Sequence, residues 1–568
     1  MTPECHPIST LPDTTPLFRD FAGPSVSVPA GLRRWYPADP FSMDWAHVAP
    51  TLSPEHRNRL ADALLRQTDR FDASGAVLAN IERLKHGASA VVTGQQVGLF
   101  GGPLLTLLKA ATAIRKAQDA TRLTGREHVP IFWLASEDHD LAEVDQVSLL
   151  SKTAVETLHL NLDASKPLPV GARVLGDRGD EGHHRLAEEL DKACELLGWA
   201  PICDLLRECY TPGATLASAF GRLITKLFAP FGLIVMDAAS RDFHALGAST
   251  LQYAIEHAAE LDAALIARSH ELPAAGYHAQ VLVSEGHSLL FLLEPQEGAT
   301  ANDLMKPAVR LPLRRNAQGV WKAGPRTYTT VELLDILATE PERLSPNALL
   351  RPVFQDTILP TAAYIGGPAE IAYFAQSAVV YEAIFGSDGK PGRITPVLPR
   401  LSATLIEPAI AQVMQQHEVT FSQVIDALSH GSKTPAELAT RLGARAMPIE
   451  AKRKLAAVGN ALDTELTALT EYMTAMSPDL GRSATISRNK LRYQMNRLRR
   501  MAANFELQKQ ASLNKHATAI ALNLYPEGHL QERLLAGIWF LAHHGDTLPA
   551  LLVDHAAQEC PGHRVIFL

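Results

Sequence analysis

Short apolar runs without polar alternation, separated by longer helical stretches, dominate the first two thirds of the chain. Four such runs lie at 90–93, 129–135, 233–236 and 361–365, and each ends in a loop that begins with glycine or polar residues. Strands that are apolar at every position are buried on both faces, and strands that alternate with helices are typical of a parallel sheet. The pattern therefore predicts an α/β fold with a parallel sheet covered on both faces.

Between these runs, the periodicity predicts a helix at 53–86 and mostly helical structure at 185–230. The region 278–328 is different, because turn residues separate short apolar segments there. We expect two hairpins in it, one over 280–293 and one over 309–322. These hairpins would form a small β-rich insertion in the α/β core.

Apolar residues three and four apart recur beyond residue 450, and again after a break at Ser477–Gly481. This spacing predicts an antiparallel helical hairpin with coiled-coil character, whose long arms are suited to pair with a second subunit. The alternative is that the hairpin packs back on its own core. The predicted domains are a core at 1–395 with insertions (about 150–215 helical, about 270–345 β-containing), a helical connection at 396–450, the coiled-coil hairpin at 451–516 and a segment at 517–568 that returns to the core.

The composition indicates a globular protein and gives no sign of a nucleic-acid-binding, membrane-spanning or secreted one. A chain of 568 residues with 46% hydrophobic and 20% charged residues is expected to form two to four globular domains. The net charge of −8 gives no reason to expect nucleic acid as a partner, and no apolar run is long enough to predict a transmembrane helix. The N-terminal residues lack the basic and apolar regions of a secretory signal.

The five cysteines form no even framework and no C-x-x-C motif, which fits unpaired thiols in a reducing cytoplasm. Cys194, Cys203 and Cys209 lie close together in sequence, but their spacing is not that of zinc ligands. We expect these three to be buried structural thiols.

The first candidate site is the loop between the run at 90–93 and the next helix. Glycines and amides cluster in this loop, and Pro103 precedes an apolar-periodic helix. Because glycine permits close approach to the backbone and a helix N-terminus offers N–H groups to an anion, we expect a nucleotide or carboxylate to bind there. The alternative is a tight strand-to-helix turn, since the loop matches neither a dinucleotide fingerprint nor a P-loop. The candidate binding residues are Thr93, Gly94, Gln95, Gln96, Gly98, Gly101 and Gly102.

A second candidate follows the strand predicted at 129–135. Glu137, Asp138, His139 and Asp140 place three carboxylates and an imidazole in four consecutive residues. The carboxylates repel one another unless Mg²⁺, a substrate ammonium or a proton on the imidazole lies among them. The alternative is a solvated acidic loop that caps the next helix.

A third candidate is the pair Gly366 and Gly367, which with the next residue repeats the Gly-Gly-Pro order of 101–103. Two such turns could face one crevice at the carboxyl ends of neighbouring strands. Glu370 in the following helix could hold a substrate amine or act as a base, and Tyr373, three residues on, could order that pocket. The alternatives are a carboxylate that complements the helix dipole and a tyrosine that packs the helix.

The second arm of the predicted hairpin is strongly basic. We interpret it as a solvated face; the alternatives are a seat for an anionic ligand or for the acidic surface of a partner subunit. Its basic residues are Arg482, Arg488, Lys490, Arg492, Arg497, Arg499, Arg500, Lys509 and Lys515.

Three segments together resemble the BshC family of cysteine-adding enzymes of bacillithiol biosynthesis. They are TGQQVGLFGGPLLTLLKA at 93–110, FWLASEDHDLAEVD at 132–145 and LSPNALLRPVFQDTILPTAAYIGGPAEIAYFAQ at 344–376. The similarity covers nearly the whole chain, with departures at Leu105 and Leu141, where relatives often carry Tyr and Phe. It implies a Rossmann-like core related to nucleotidyltransferases, with connecting-peptide insertions, and a coiled-coil hairpin that makes a cytoplasmic homodimer.

The resemblance also implies a ligase that adds L-cysteine to glucosaminyl-malate, the last step to bacillithiol. Amide formation in water needs an activated carboxylate, so we expect ATP and Mg²⁺ as cofactors, with phosphates on residues 94–104 and the metal at the acidic loop. Arg351 and Lys109 are candidates for binding the glucosaminyl-malate carboxylates. The residues expected to be catalytic are Glu137, Asp138, His139 and Glu370, of which His139 or Glu370 would be the base, and Asp140 and Tyr373 are expected to bind ligand.

Two other functions fit the same residues. A nucleotide-binding dimeric sensor protein with a synthetase-like core would use the glycine-rich turns and the acidic loop for binding alone. A nucleotidyltransferase acting on another amine substrate would use them for different chemistry.

Overall fold

The computed structural model of the chain describes residues 3–23, 30–48, 50–165, 167–176, 179–295, 308–386, 392–429, 434–557 and 560–568. In chain order its strands are β1 (Glu4–Pro7), β2 (Ser89–Gln95), β3 (His128–Leu134), β4 (Gln146–Leu150), β5 (Val155–His159), β6 (Ile234–Asp237), β7 (His287–Glu294), β8 (Val309–Arg315), β9 (Trp321–Ala323), β10 (Arg326–Tyr328), β11 (Leu344–Pro346), β12 (Thr361–Gly366), β13 (Val397–Pro399), β14 (Ser402–Ile406) and β15 (Gly562–Phe567).

The α-helices are α1 (Pro16–Ala22), α2 (Ala30–Arg33), α3 (Pro54–Thr68), α4 (Gly75–Lys85), α5 (Leu105–Thr124), α6 (Leu141–Val144), α7 (Gly179–Leu196), α8 (Ile202–Cys209), α9 (Leu216–Leu227), α10 (Arg241–Leu246), α11 (Ala248–Glu256), α12 (Ala258–Ala274), α13 (Thr330–Thr339), α14 (Arg351–Ile358), α15 (Pro368–Phe385), α16 (Pro408–Gln416), α17 (Phe421–Ser429), α18 (Pro435–Ala446), α19 (Ile449–Met476), α20 (Pro478–Lys509), α21 (Ala511–Leu524), α22 (Gln531–Leu534), α23 (Gly537–His544) and α24 (Thr547–Ala556).

Five parallel strands form the central sheet, in the order β13-β12-β2-β3-β6. The middle strand, β2, pairs with β3 along its whole length and with β12 on its other side. Nearly every residue of β2, β3 and β12 is buried, as expected for strands covered on both faces. This confirms the predicted α/β fold. Because all five strands run in one direction, the loops that follow β2, β3 and β12 leave the sheet at the same edge.

Helix α5 returns the chain from β2 to β3 and packs against both strands. Its predicted apolar face is buried, with Leu107, Leu108, Ala111 and Ile114 each at most 2% exposed. The helix predicted at 53–86 is instead two helices, α3 and α4. Asp72 adopts a φ of +51° between them, and the side chain of Ser74 accepts a hydrogen bond from Val77 N to cap α4. The prediction of one continuous helix is therefore wrong.

The insertion between β6 and β12 contains an antiparallel sheet in the order β10-β9-β8-β7-β11. The pairing of β8 with β9 confirms the hairpin predicted over 309–322. The hairpin predicted over 280–293 is wrong, because only its second half forms a strand, β7. The side-chain amide of Gln376 holds the first half instead: it donates to Val281 O (2.9 Å) and accepts from Val281 N (2.9 Å).

A separate sheet, ordered β1-β15-β14, joins residues near both ends of the chain. The sequence RVIFL at 564–568 predicts a strand that closes the chain, and β15 confirms it. Cys5 in β1 is disulfide-bonded to Cys560, a separation of 555 residues. The expectation that all cysteines are unpaired is therefore wrong, since spacing along the sequence does not reveal a contact made through this sheet. The three cysteines of 194–209 are free and buried, as predicted.

The segment 396–450 is not the all-helical connection that the sequence predicts. It begins with β13, which forms one edge of the central sheet, and β14, which pairs in parallel with β15. Helices α16, α17 and α18 follow. The chain thus passes from one sheet to the other before the long helices begin.

Helices α19 and α20 form the predicted antiparallel hairpin. The turn lies at Ser477, whose side chain accepts a hydrogen bond from Asp479 N (3.3 Å), and Pro478 starts α20. Helices α18 and α21 pack against the base of α20. Many apolar side chains along both arms are at least 40% exposed: Val458, Leu469, Tyr472, Met476, Leu480, Ile486, Leu491, Tyr493, Leu498, Met501 and Phe505. None of the helices in the described ranges combines the length and apolar character needed to cross a bilayer.

Candidate functional site

Three loops meet at the carboxyl edge of the central sheet, after β2, β3 and β12. The side-chain amide of Gln96, after β2, donates to Asp138 Oδ2, after β3 (2.6 Å). The ammonium of Lys109 in α5 donates to Gly94 O (2.6 Å) and lies 2.5 Å from Glu370 Oε2, after β12. The three segments singled out in the sequence are therefore neighbours, connected by hydrogen bonds and one ion pair.

Hydrogen bonds hold Ser136, the residue that immediately precedes the acidic loop. Ser136 Oγ donates to Asp237 Oδ1 at the end of β6 (2.5 Å), and Arg70 pairs with Asp237 Oδ2 (2.8 Å). Gly171 N donates to Ser136 O (2.8 Å), and a Cβ at Gly171 would lie 2.3 Å from the Ser136 Cβ. These contacts set the direction in which Glu137 leaves the sheet.

Glu137 turns inward, toward a histidine of α10. His244 is fully buried, and its Nε2 lies 3.2 Å from Glu137 Oε1. Burial raises the pKa of Glu137 and lowers that of His244, but the opposite charge of the partner outweighs burial in both. The pKa of Glu137 is therefore lowered overall and that of His244 is raised. The two side chains form an ion pair of carboxylate and imidazolium.

Asp138 and His139 lie on the open side of the loop, with side chains 36% and 51% exposed. Burial raises the pKa of Asp138, but hydrogen bonds from His139 and Gln96 bring it well below its usual range. Asp140 Oδ1 accepts a hydrogen bond from Glu143 N (3.4 Å) and so caps α6. For Asp140 this is the capping role that the alternative interpretation of the loop predicts.

Lys109 and Glu370 form a buried ion pair between α5 and α15. Glu370 also accepts from the Tyr364 hydroxyl (2.5 Å) and from Gly367 N (2.8 Å). Burial raises the pKa of Glu370, but Lys109 brings it below the usual value; burial lowers the pKa of Lys109. A carboxylate with three donors and a lowered pKa accepts a proton poorly, so this geometry favours positioning over base catalysis for Glu370.

Tyr373 lies beside this pair. Its hydroxyl accepts from Arg351 Nη2 (2.8 Å), and Arg351 also donates to Gln355 Oε1 (3.1 Å). Burial lowers the pKa of Arg351, but the neighbouring Tyr364 and Tyr373 raise it overall. Arg351 and Lys109, the two cations expected to bind substrate carboxylates, are thus both bonded to groups of the protein.

In the second half of the first glycine-rich loop, backbone N–H groups are already bonded within the protein. The N–H groups of Gly98, Gly101, Gly102 and Leu104 all donate to acceptors within the protein, and these residues are buried. The hydroxyl of Tyr210 accepts one of these bonds, from Gly101 N (3.1 Å). At these four positions the loop has no open N–H group to offer an anion, and it forms the tight strand-to-helix turn that was the alternative.

The glycines of this turn are required by backbone conformation. Gly101 and Gly102 have φ values of +89° and +67°, and a Cβ at Gly101 would lie 3.1 Å from Leu223 Cδ2. Helix α5 begins at Leu105, and the residues before it bond to the segment 535–537: Leu104 N donates to Leu535 O (2.8 Å) and Gly537 N donates to Gly102 O (3.2 Å). The helix start is thus covered by the segment before α23.

These residues do not fit a ready-made site for ATP or Mg²⁺. The closed turn offers no cradle for phosphates at Gly98, Gly101 and Gly102. The three carboxylates of the acidic loop turn to different partners, and no group of three metal-binding side chains occurs in the described ranges.

Sequence reasoning missed two charged residues of the site. His244 lies in a short helix far along the chain from its partner Glu137. Arg310 lies on β8, and its Nη1 is 3.2 Å from His139 Nδ1. The sequence offers little signal for either residue, because Arg310 shares its strand with Arg314 and Arg315, and His244 follows Arg241 and Asp242 in a short helix.

A parallel sheet of this order, with polar loops at its carboxyl edge, defines a Rossmann-like α/β protein, here extended by a coiled-coil domain. The family "Bacillithiol biosynthesis BshC" matches both parts: its N-terminal Rossmann-like domain matches residues 5–389 and its C-terminal coiled-coil domain matches residues 403–568. The chain belongs to this family, as the three sequence blocks predict.

Relatives named "Putative cysteine ligase BshC" align along nearly the whole chain. The protein of Koribacter versatilis (strain Ellin345) is 41% identical over 100% of both chains. That of Solibacter usitatus (strain Ellin6076) is 35% identical over 99% of both. That of Salinibacter ruber (strain DSM 13855 / M31) is 32% identical over 94% of this chain and 93% of its own.

Proposed function

We propose that this protein joins the carboxyl group of L-cysteine to the amine of glucosaminyl-malate, the amide-forming step that completes bacillithiol. The observation that carries the proposal is that the acidic loop and the segment after β12 both bond to the β2–α5 segment at one sheet edge, in a chain whose relatives are named as cysteine ligases. Open α/β sheets bind small molecules at this edge.

The exposed and the buried residues of the site have different roles in this proposal. Asp138 and His139 reach solvent, so they meet the attacking amine, and His139 removes its proton. Glu137 and Glu370 act by positioning, since each is held in a buried ion pair, with His244 and with Lys109. The substrate amine approaches between the two loops that these pairs hold in place.

Amide formation in water needs an activated carboxyl group. We propose that ATP, with Mg²⁺, activates this carboxyl group. The phosphates would bind away from Gly98, Gly101 and Gly102, because the N–H groups of these residues are already bonded within the protein. The residues named above bind and orient the reactants and carry the proton.

We also propose that the protein is a homodimer joined through the hairpin of α19 and α20. The exposed apolar side chains on both arms support this, because such stripes are usually covered by a partner helix. Light scattering on the purified protein tests it. We expect the mass of a dimer for the wild type and of a monomer for a variant with Leu469→Glu and Leu498→Glu.

The function is tested with purified protein, L-cysteine, glucosaminyl-malate, ATP and Mg²⁺, by following bacillithiol and nucleotide by mass spectrometry. We expect bacillithiol together with AMP or ADP, and we expect His139→Ala to abolish the product while circular dichroism is unchanged. His184→Ala, at an exposed histidine of α7, is the matched control.

Other results would favour the other two functions. Nucleotide binding without any product would favour a sensor, and product with a different amine alone would favour a nucleotidyltransferase. Unchanged turnover in His139→Ala would remove His139 from the mechanism.

A further inference from the structure

Arg310 is a buried cation at the candidate site that has no carboxylate of the described chain within ion-pair distance. Its side chain reaches from β8 of the insertion to the acidic loop, and the residue is 6% exposed. Two other buried cations have a carboxylate close by, Lys109 with Glu370 at 2.5 Å and Arg400 with Glu532 at 2.7 Å, whereas Arg564, far from this site in the chain, donates to the carbonyl oxygen of His555. In the described ranges, no carboxylate oxygen forms an ion pair with Arg310. Burying a guanidinium without an ion-pair partner costs free energy, so we expect a bound anion to pair with it.

The hydrogen bonds of Arg310 leave part of the guanidinium available. Nε donates to Ser345 Oγ (3.3 Å), Nη1 to His139 Nδ1 (3.2 Å) and Nη2 to Pro346 O (3.2 Å). A guanidinium has five N–H donors, so one remains on each terminal nitrogen. Two terminal N–H groups on one planar guanidinium suit the two oxygens of a carboxylate.

The orientation of the guanidinium is fixed before any ligand binds. Its central carbon lies 3.6 Å from the centre of the Phe291 ring, which covers one face of the plane. Ser345 is fully buried and holds the Nε side. The way in from solvent is beside His139, whose side chain is half exposed. A ligand entering there would meet a rigid donor surface.

The charges around Arg310 also indicate which charges its ligand should carry. Burial lowers the pKa of Arg310, and the carboxylates of Glu137 and Asp138 are near enough to raise it in part. Neither carboxylate lies within ion-pair distance of Arg310, because Glu137 pairs with His244 and Asp138 accepts from Gln96. A small molecule that places a carboxylate on Arg310 and a positive or neutral group toward Asp138 would match both charges.

We propose that Arg310 is the receptor for a substrate carboxylate at this site, and that the β-rich insertion serves to carry it there. The identity of the substrates rests on the function proposed above, which offers two sources of a carboxylate. L-Cysteine also carries an ammonium group suited to Asp138, whereas the malate moiety carries two carboxylates.

The proposal is tested by calorimetric titration of the full-length protein with L-cysteine and, separately, with L-malate. We expect Arg310→Gln to weaken the binding of at least one of them by at least about tenfold, the size of effect that a lost charge-assisted pair produces. Arg310→Lys should be intermediate, since it keeps the charge without the planar pair of donors. Arg314→Gln, four residues along the same strand and bonded to His287, is the matched control and should bind like the wild type.

A ligand-side experiment needs no variant and so does not depend on how Arg310→Gln folds. The wild type is titrated with L-cysteine methyl ester and with dimethyl malate, which lack the negative charge. We expect the neutral form of the substrate that uses Arg310 to bind at least about tenfold more weakly than the acid.

The titrations with L-cysteine and with L-malate show which substrate supplies the carboxylate, because the compound whose affinity falls in Arg310→Gln is the one that Arg310 binds. Equal affinities of Arg310→Gln and the wild type for both probes would overturn the proposal, and so would equal binding of acids and esters, or no binding of either acid to the wild type. Absence of bacillithiol in the product assay would instead overturn the proposed function, since carboxylate binding is measured without turnover.

Discussion

Lys109 and Glu370 show how single side chains hold the candidate site together. Their side chains are 4% and 16% exposed, and their charged atoms lie 2.5 Å apart. Each charge is tolerable in this environment because of the other. The pair ties α5 and the end of β2 to the first turn of α15.

Removing one partner of this pair should be costly. We expect Lys109→Met to lower the free energy of unfolding by about 3–5 kcal/mol, because it leaves the Glu370 carboxylate buried without its cation. The double variant with Glu370→Gln should lose less than the sum of the two single variants. Urea unfolding measures each value, and Lys454→Met, at an exposed pair with Glu450, is the control. Additive effects would mean that the pair is not coupled.

For single residues, the sequence indicated which side chains belong to the candidate site, but not which side chains they contact. Lys109, Glu370 and Glu137 lie in the segments that the sequence singled out. The pairing of Lys109 with Glu370, and of Glu137 with His244, joins residues more than about 100 positions apart, and it depends on which strands are neighbours. No local pattern contains that information.

Among the elements, the helices at the base of the hairpin approach most closely at glycines. A Cβ on Gly443 of α18 would lie 2.4 Å from the backbone oxygen of Ala503 in α20. A Cβ on Gly459 of α19 would lie 2.2 Å from Arg499 Nη2, the end of a flexible side chain. The first contact can be relieved by moving a helix, the second by turning a side chain.

This difference predicts opposite results for two similar substitutions. We expect Gly443→Ala to lower the free energy of unfolding by about 1–3 kcal/mol through overpacking. Gly459→Ala should leave it unchanged or raise it by up to about 1 kcal/mol, since alanine favours helix. Thermal unfolding followed by circular dichroism compares the two. A Gly443→Ala variant as stable as the wild type would contradict the packing described here.

The terminal sheet predicts a pH dependence through His563 of β15. Its ring is fully buried and bonded to the hydroxyls of Ser402 and Thr404 (both 2.8 Å), and burial lowers its pKa from 6.5 to about 4. The unfolded chain then binds more protons than the folded protein between these two values. Stability should therefore fall as pH drops from about 6.5 to about 4, by up to about 3 kcal/mol.

Urea unfolding at several pH values checks this, and His563→Gln should flatten the curve in that range. His184→Gln, at an exposed side chain, is the control and should follow the wild type. An identical pH curve for His563→Gln and the wild type would assign the pH dependence to other groups.

Elements with a strong, continuous pattern were predictable from the sequence: four strands of the central sheet, the hairpin of α19 and α20, and the strand β15. Elements whose form depends on tertiary contacts were not. The segment 280–283 has the pattern of a strand but bonds to a side chain of α15, and the break between α3 and α4 depends on one left-handed residue and a new cap.

For the whole molecule, the disulfide Cys5–Cys560 joins β1 to the residues just before β15, the strand with which β1 pairs. We expect the unfolded protein to present three reactive thiols without reductant and all five cysteines after reduction. Loss of the bond in Cys5→Ser should lower the free energy of unfolding by about 2–4 kcal/mol. Thiol titration under denaturing conditions measures the count, with Cys194→Ser as the matched control. Five reactive thiols before reduction would contradict this pairing.

The strand order of the central sheet has a consequence for how the protein is made. On the ribosome, β2 can pair with β3 soon after both emerge, but its other neighbour, β12, follows only after roughly 270 further residues, which take roughly 13–54 s to synthesise at about 5–20 residues per second. During that time one edge of the middle strand of the sheet is without its partner. The nascent chain therefore needs a chaperone, or the early insertion segments, to keep that edge from aggregating until translation reaches β12.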